Sequence, residues 1–266
     1  MGMVFARPGD NLLADASLTL SSGTALSGYG LANLYNQTWA HPLKISETEL
    51  DLRIDLGAAD LPEWVVLGNS NVDVAAKFQG HTSDSWGTPD IDLTFGVPTQ
   101  SVDGLFTSPH LNLSALAAKR YWRLFITGNA LPIIIGELLL ASTRRTISRE
   151  HLLQDIALGS IGRSVEHETP FGVDLAYQQA SRRDVLDGSI IVGATDYTAL
   201  EGLVQATRMG VRPFFYVHRH DSADAWMVKY AGSGLLGRRP LDAHLARVPF
   251  PIRQLSRGLP WVDPDA

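Results

Sequence analysis

Between Leu50 and Leu56 the chain alternates without a break, setting Leu50, Leu52, Ile54 and Leu56 against Asp51, Arg53 and Asp55, and Gly57 closes the run. Successive side chains of a strand leave it on opposite sides, so a period of two marks a strand with one core face and one wet face. The next segment, EWVVLGNSN (63–71), has no alternation from Trp64 to Leu67 and reads as a strand covered on both sides, ended by Gly68. A one-sided strand feeding a two-sided one implies stacked layers, and other segments repeat the theme. SLTLSS (17–22) alternates; AAKFQGHTSD (75–84) turns Ala76, Phe78 and Gly80 inward; YWRLFITG (121–128) sets Trp122, Leu124 and Ile126 against Tyr121, Arg123, Phe125 and Thr127; IIIGELLLAS (133–142) is the last strand of the set. Short strands separated by turn-rich loops predict a sandwich or barrel. The long stretch 83–118 between two of them is a candidate interaction surface.

Pattern and charge both change near residue 144. Residues 1–143 hold 7 Lys and Arg against 14 Asp and Glu, whereas residues 144–266 hold 15 against 14, and 14 of those 15 are Arg. Two domains are therefore expected, 1–143 and 144–266. In the second, Ser148 hints at a helix start, and FGVDLAYQQASRRDVLDGSIIVGA reads as two strands around a hairpin turn at Asp187–Gly188. TDYTALEGLVQATRMG spaces Tyr197, Leu200, Leu203, Val204 and Thr207 as one helix face. A helix is predicted over about 196–209, capped by Thr195 or Asp196 and ended by Gly210. VRPFFYVHRH, DAWMVKYAG and RRPLDAHLARVPFPIRQLSRG supply further strands, giving an α+β domain.

Of the 266 residues 45% are hydrophobic, enough for a core in each half, and none is Cys, which excludes disulfides, thiolate metal sites and Cys nucleophiles. The first residues do not fit a secretory signal, and the apolar run ending at Ser142 is too short to span a bilayer and is interrupted by Glu137. The chain is expected to be made in a cytoplasm and not to insert into a membrane. The near-neutral balance of the second half argues against nucleic acid, since phosphate binding needs net positive potential. Arginine at this density instead favours protein interfaces. Three pairs, Arg144–Arg145, Arg182–Arg183 and Arg238–Arg239, are candidate contacts to Asp and Glu of a neighbouring subunit; the ordinary alternative is a solvated rim.

HRHD (218–221) puts His218 and His220 on one face of a strand, a weak candidate metal pair with Asp221 or Asp224 as a third ligand. No spacing fixes that ligand, and solvated or interfacial His is the plainer reading. REH (149–151) and VEHET (165–169) pair His with carboxylates, but adjacency in sequence does not make an acid–base pair. No GxSxG, HExxH or phosphate-cradling loop occurs. Neither an enzyme nor a cofactor is expected.

An ordered set of segments, LANLYNQTWA (31–40), LDLRIDLG, WVVLGNSN, AAKFQGHTSD, RYWRLFITG and IIIGELLLA, resembles the galactose-binding-like, or discoidin-like, jelly-roll modules. The resemblance covers about 130 residues and implies binding loops clustered at one end of the sandwich. Aromatics there would stack on sugar rings and polar groups would bond hydroxyls, which makes Trp39, His41, Asn69, Asn71, His81 and Trp86 the candidates. A structural metal in an early loop is also common in such modules, and Asn33 and Asn36 could supply oxygens to it.

The whole chain, with its ARPGDNLLADASLTLSSG start, jelly roll and Arg-rich β domain, resembles minor tail or distal tail (baseplate) proteins of long-tailed bacteriophages. Its segment from Thr195 to Tyr230 resembles the sheet–helix–sheet part of their ring domain. That implies a mainly β chain, a jelly roll followed by an α+β ring-forming domain of the tail-tube type, in a virion tail. Expected partners are copies of itself in a hexamer or trimer, tail tube and tail tip proteins, and host surface glycans. The alternative is a stand-alone carbohydrate-binding protein.

Overall fold

The computed structural model describes residues 3–37, 41–98, 107–147, 157–168, 174–187, 189–208, 212–217, 225–232, 236, 239–240 and 245–254. The chain divides into two compact units. Met1–Gln100, Phe106–Ile147 and Phe214–Trp226 form one; Ser101–Leu105, Ser148–Pro213 and Met227–Ala266 form the other. The strands in chain order begin with β1 (Met3–Ala6), β2 (Ser17–Ser22), β3 (Leu43–Lys44), β4 (Leu50–Asp60), β5 (Trp64–Ser70) and β6 (Lys77–His81). β7 (Ile91–Thr94), β8 (His110–Asn112), β9 (Lys119–Ile126), β10 (Ile134–Ala141) and β11 (Arg145–Ile147) follow. Beyond them lie β12 (Ala157–Glu168), β13 (Asp174–Asp187), β14 (Ser189–Gly193) and helix α1 (Ala194–Ala206). The last strands are β15 (Phe214–Val217), β16 (Trp226–Tyr230), β17 (Arg239–Pro240), β18 (Leu245–Pro249) and β19 (Ile252–Gln254).

The first unit contains the expected sandwich. One sheet has the order β2-β4-β9-β6-β7 and the other β3-β10-β5-β8. From β2 to β6 the chain changes sheet at every step, and from β8 to β10 it does so again, which is jelly-roll connectivity. The alternating apolar residues of β4 and β9 meet those of β5 and β10 in a core containing Leu52, Ile54, Val65, Leu67, Trp122, Leu124 and Leu138. Phe78 stacks on Trp122 with centroids 5.2 Å apart and planes at 15°. Gly80 sits opposite Trp122 in the ladder, where a Cβ would come within 2.9 Å of the indole, so the inward Gly makes room for the ring.

All seven residues of β5 are buried, as its unbroken apolar run predicts. Its second face is covered from within the same unit: β1 pairs with β11 and β15, and the Phe215 ring lies against Gly68. Two strand ends differ from expectation. β5 continues through Gly68 to Ser70, because Gly68 serves this close approach and does not end the strand. β4 continues to Asp60 through a register shift after Asp55, with Gly57 at φ +77° and its N–H bonded to the Asp55 carboxylate; Gly57 marks a bulge.

In the second unit β12 and β13 pair from Ala157↔Asp187 to Glu168↔Asp174, with irregular register around Ile161 and Arg163. β13 also pairs with β19, and β19 with β16, while β14 pairs with β18 and β18 with β17. Among the described residues the expected hairpin at Asp187 does not form: β13 and β14 lie in different sheets, β13 between its chain neighbour β12 and the distant β19, and β14 beside β18. Helix α1 buries Leu200, Leu203 and Val204, and the Tyr197 hydroxyl donates to the Leu236 carbonyl. It starts earlier than expected, at Ala194 behind Gly193, which provides no side-chain cap, and the chain leaves it as Arg208 turns to φ +51°. The segment after Ser148 and Gly210 lie outside the described residues. Among the described residues no helix is long and apolar enough to cross a membrane.

Candidate functional site

Antiparallel register lays the outer face of the five-stranded sheet out in rows. Ser17 of β2, Asp55 of β4, Tyr121 of β9 and His81 of β6 lie side by side in the first. Thr19, Arg53, Arg123, Gln79 and Asp92 make the second, and Asp51, Phe125 and Lys77 the third. These are the polar positions of the alternating strands, and the charges they carry pair across strands. Arg123 is bidentate to Asp51, at 2.8 and 3.0 Å, and stacks on Phe125 with 4.1 Å to the ring centroid. Arg120 is bidentate to Asp55 at 2.8 and 2.9 Å, and that hydrogen bonding holds the Asp55 carboxyl below the usual carboxylate range. Gln79 and Lys77 do the same for Asp92, as Lys119 does for Asp90. The face is not uniformly wet: Asp51 is 6% exposed.

The loop after β6 folds over this face. His81 Nδ1 accepts from the Ser83 N–H, and Asp84 accepts from Arg53 at 3.3 Å through both oxygens. The Trp86 indole N–H donates to Asp84 Oδ1 at 2.7 Å, which sets the ring against His81, 6.4 Å between centroids, and under Arg123 at 5.6 Å. Between loop and sheet lies a cleft of about 180 Å³ lined by Ser17, Thr19, Arg53, Asp84, Trp86 and Tyr121, with Trp122 at its floor. The structure thus brings His81 and Trp86 together.

The other sequence candidates are elsewhere. Asn69 and Asn71 end β5 where the Asn129 N–H bonds Thr48, beside Leu50, whereas His81 is level with Asp55. Five residues of strand, about 16 Å, separate the two levels, so these residues do not share one end of the sandwich. Asn69 is turned into the fold and the Asn71 amide is already used. Asn69 is buried at φ +52°, and the Asn71 amide donates to Pro132 O and accepts from Ile134 N, both at 2.8 Å. His41 is exposed and its carbonyl accepts from Asn36. Trp39 lies outside the described residues, as do His218, His220, Asp221, Asp224 and Arg238.

Of the arginine pairs, Arg144 and Arg145 meet acids of their own unit: the Arg144 N–H bonds Glu63 at 2.6 Å, and Arg145 lies 3.6 Å from Asp10. Arg182 and Arg183 fall on β13, Arg183 opposite Ile161, and Arg239 falls on β17 opposite Arg247.

Among the described residues of the early loop, the side-chain amide nitrogens of Asn33 and Asn36 bond neighbouring oxygens. Asn33 Nδ2 donates to the carbonyls of Gly28 and Pro42, and Asn36 Nδ2 to Asn33 Oδ1 and the His41 carbonyl. Asn–backbone bonding of this kind braces a loop. One carboxylate reaches in, Glu137 from β10, which is 2% exposed and accepts from the Gln37 N–H at 3.1 Å. Among the described residues no three His, Asp or Glu converge as metal ligands.

No protein-family model matches the sequence, and no curated protein sequence matches it. Solved structures do. Chitosan-binding module 1, derived from chitosanase/glucanase from Paenibacillus sp. IK-5, is 22% identical over 48% of this chain and 96% of that one, with a TM-score of 0.36. The family 32 CBM from C. perfringens NanJ, in complex with galactose, is 10% identical over 53% and 99%, with a TM-score of 0.38. SpGH29 is 17% identical over 52% of this chain but only 29% of its own length, with a TM-score of 0.37.

Proposed function

We propose that the first unit is a saccharide-binding module and that its site is the cleft beneath Trp86, on the sheet face. One observation carries this reading: two aromatic rings, Trp86 and Tyr121, flank planar and hydroxylic hydrogen-bonding groups, Arg53, Asp84, Ser17 and Thr19, around a space of about 180 Å³. A sugar ring has an apolar face for an aromatic ring and a rim of hydroxyls for fixed planar partners. The cleft is smaller than the ~300–1,000 Å³ of drug-sized sites and suits one ring. The test is Trp86→Ala in the full chain, screened on immobilised glycans and titrated by calorimetry. Saccharide binding is expected to weaken at least about tenfold, or ~1.4 kcal/mol, with the melting temperature unchanged. A ligand that binds the variant as tightly as the parent places the site elsewhere.

Self-association through the second unit is a second reading, favoured by β12. This 12-residue strand has β13 on one side and, among the described residues, no partner on the other. An open edge of that length is a template for pairing with another chain. Light scattering of the full chain is expected to show a discrete oligomer; a monomer at every concentration sinks this reading, and with it the ring of a tail tip. The comparisons with known proteins add nothing to the tail assignment.

A further inference from the structure

We infer that the cleft beneath Trp86 selects saccharides without net charge; the inference rests on the saccharide-binding reading. Every charge at the cleft is matched before a ligand arrives. Arg53 is engaged by Asp84 and lies 3.6 Å from Asp51, Asp55 is held by both arms of Arg120, and Arg123 behind Trp86 is held by Asp51. The hydroxyls of Ser17, Thr19 and Tyr121 have no hydrogen bond among the described residues. What the cleft offers a newcomer is therefore neutral donors and acceptors, plus the outer lone pairs and N–H groups of ion pairs already made.

An acidic sugar entering this space meets Asp55 and Asp84, and at Arg53, whose Nη1 serves Asp84 and whose Nη2 lies 3.6 Å from Asp51, it competes with both carboxylates for the same positive charge. An amino sugar must likewise take Asp84 or Asp55 from its guanidinium. Each exchanges one charge-assisted bond for another of the same kind and adds the cost of stripping water from the ligand's own charge, so nothing is gained. A hydroxyl breaks no ion pair: it accepts from a guanidinium N–H or donates to a carboxylate already in place. Paired charges thus act as rigid dipoles, and affinity should respond little to ionic strength.

The experiment is calorimetric titration of the full chain with three sets of oligosaccharides, neutral hexose, uronic acid and glucosamine, at about 0.05 M and about 0.5 M salt. Neutral oligomers are expected to bind with a Kd that changes less than about twofold between the two salt levels, and the charged sets at least about tenfold more weakly. Tighter binding of uronic acid or glucosamine oligomers, or a salt effect above about tenfold, overturns the inference while leaving the module reading intact. Binding of no set overturns the module reading itself. Asp84→Asn supplies the converse. Asn keeps an acceptor for the Trp86 N–H but frees one positive charge on Arg53, so uronic acid oligomers should gain at least about tenfold in affinity over the parent. Asp84 is exposed, and a thermal melt confirms that the variant is folded. No gain for the acidic set in that folded variant means that charge matching does not set selectivity, and overturns the inference.

Discussion

Asp51→Ala is expected to destabilise the first unit by about 3–5 kcal/mol, more than any change confined to the cleft's rim. Asp51 is 6% exposed, and its partner Arg123 has a side chain only 13% exposed. The carboxylate takes both arms of that guanidinium, whose remaining bond, to Gln79 Oε1, is 3.4 Å long. Taking the carboxylate away leaves a delocalised cation between Phe125 and Trp86 with no counter-charge and little water, which is the costly way to break a buried pair. Replacing both partners, Asp51→Leu with Arg123→Met, should recover most of the loss, since an apolar pair of similar size needs no solvent. Urea denaturation of the three variants measures this. A loss below about 1 kcal/mol for Asp51→Ala would mean that Arg123 is solvated in the fold and its pair is worth no more than a surface one. The same guanidinium backs the Trp86 ring, so the single variant should also weaken the cleft without touching a ligand.

How far the sequence reveals this arrangement depends on the range over which each feature is decided. The sandwich was legible because Leu50, Leu52, Ile54 and Leu56, and then Trp64 to Leu67, encode one-sided and two-sided burial within a few residues. Gly57 and Gly68 misled because glycine reads as punctuation, while here one forms a bulge and the other admits the Phe215 ring. His81 and Trp86 were recognisable as a His and an aromatic in a loop. Their neighbours Ser17, Thr19, Arg53 and Tyr121 were not, because the rows they form depend on the register of strands distant in sequence. The one available signal was the polar face itself, Asp51, Arg53 and Asp55 on one strand and Tyr121, Arg123 and Phe125 on another, with complementary charges at the same spacing. Asn69 and Asn71 look like ligand-binding groups in a sequence, yet Asn69 is buried in its strand and the Asn71 amide bonds nearby backbone first. The membership of residues 214–226 in the first unit was equally out of reach, since a change of charge along the chain carries no information about which strand a distant segment will join.

Glu137 should give the fold a pH dependence of opposite sign to that of an ordinary paired carboxylate. Burial pushes its carboxyl well above the usual glutamate range, and the Gln37 N–H opposes this only in part. Among the described residues it has no ion pair. In the unfolded chain the same group ionises near pH ~4.3. Below that value both states hold the proton and the folded state keeps its full stability. Above it the unfolded state releases the proton first, so stability falls as pH rises, by about 1.4 kcal/mol per unit, until the folded group ionises as well. Glu137→Gln removes the titration while retaining an acceptor for the Gln37 N–H. Its stability, measured by urea unfolding from about pH 4.5 to about pH 8, should lack this downward component, so the variant gains on the parent steadily as pH rises. Parallel curves for the two proteins across that range would mean that Glu137 ionises alike in the folded and unfolded chain.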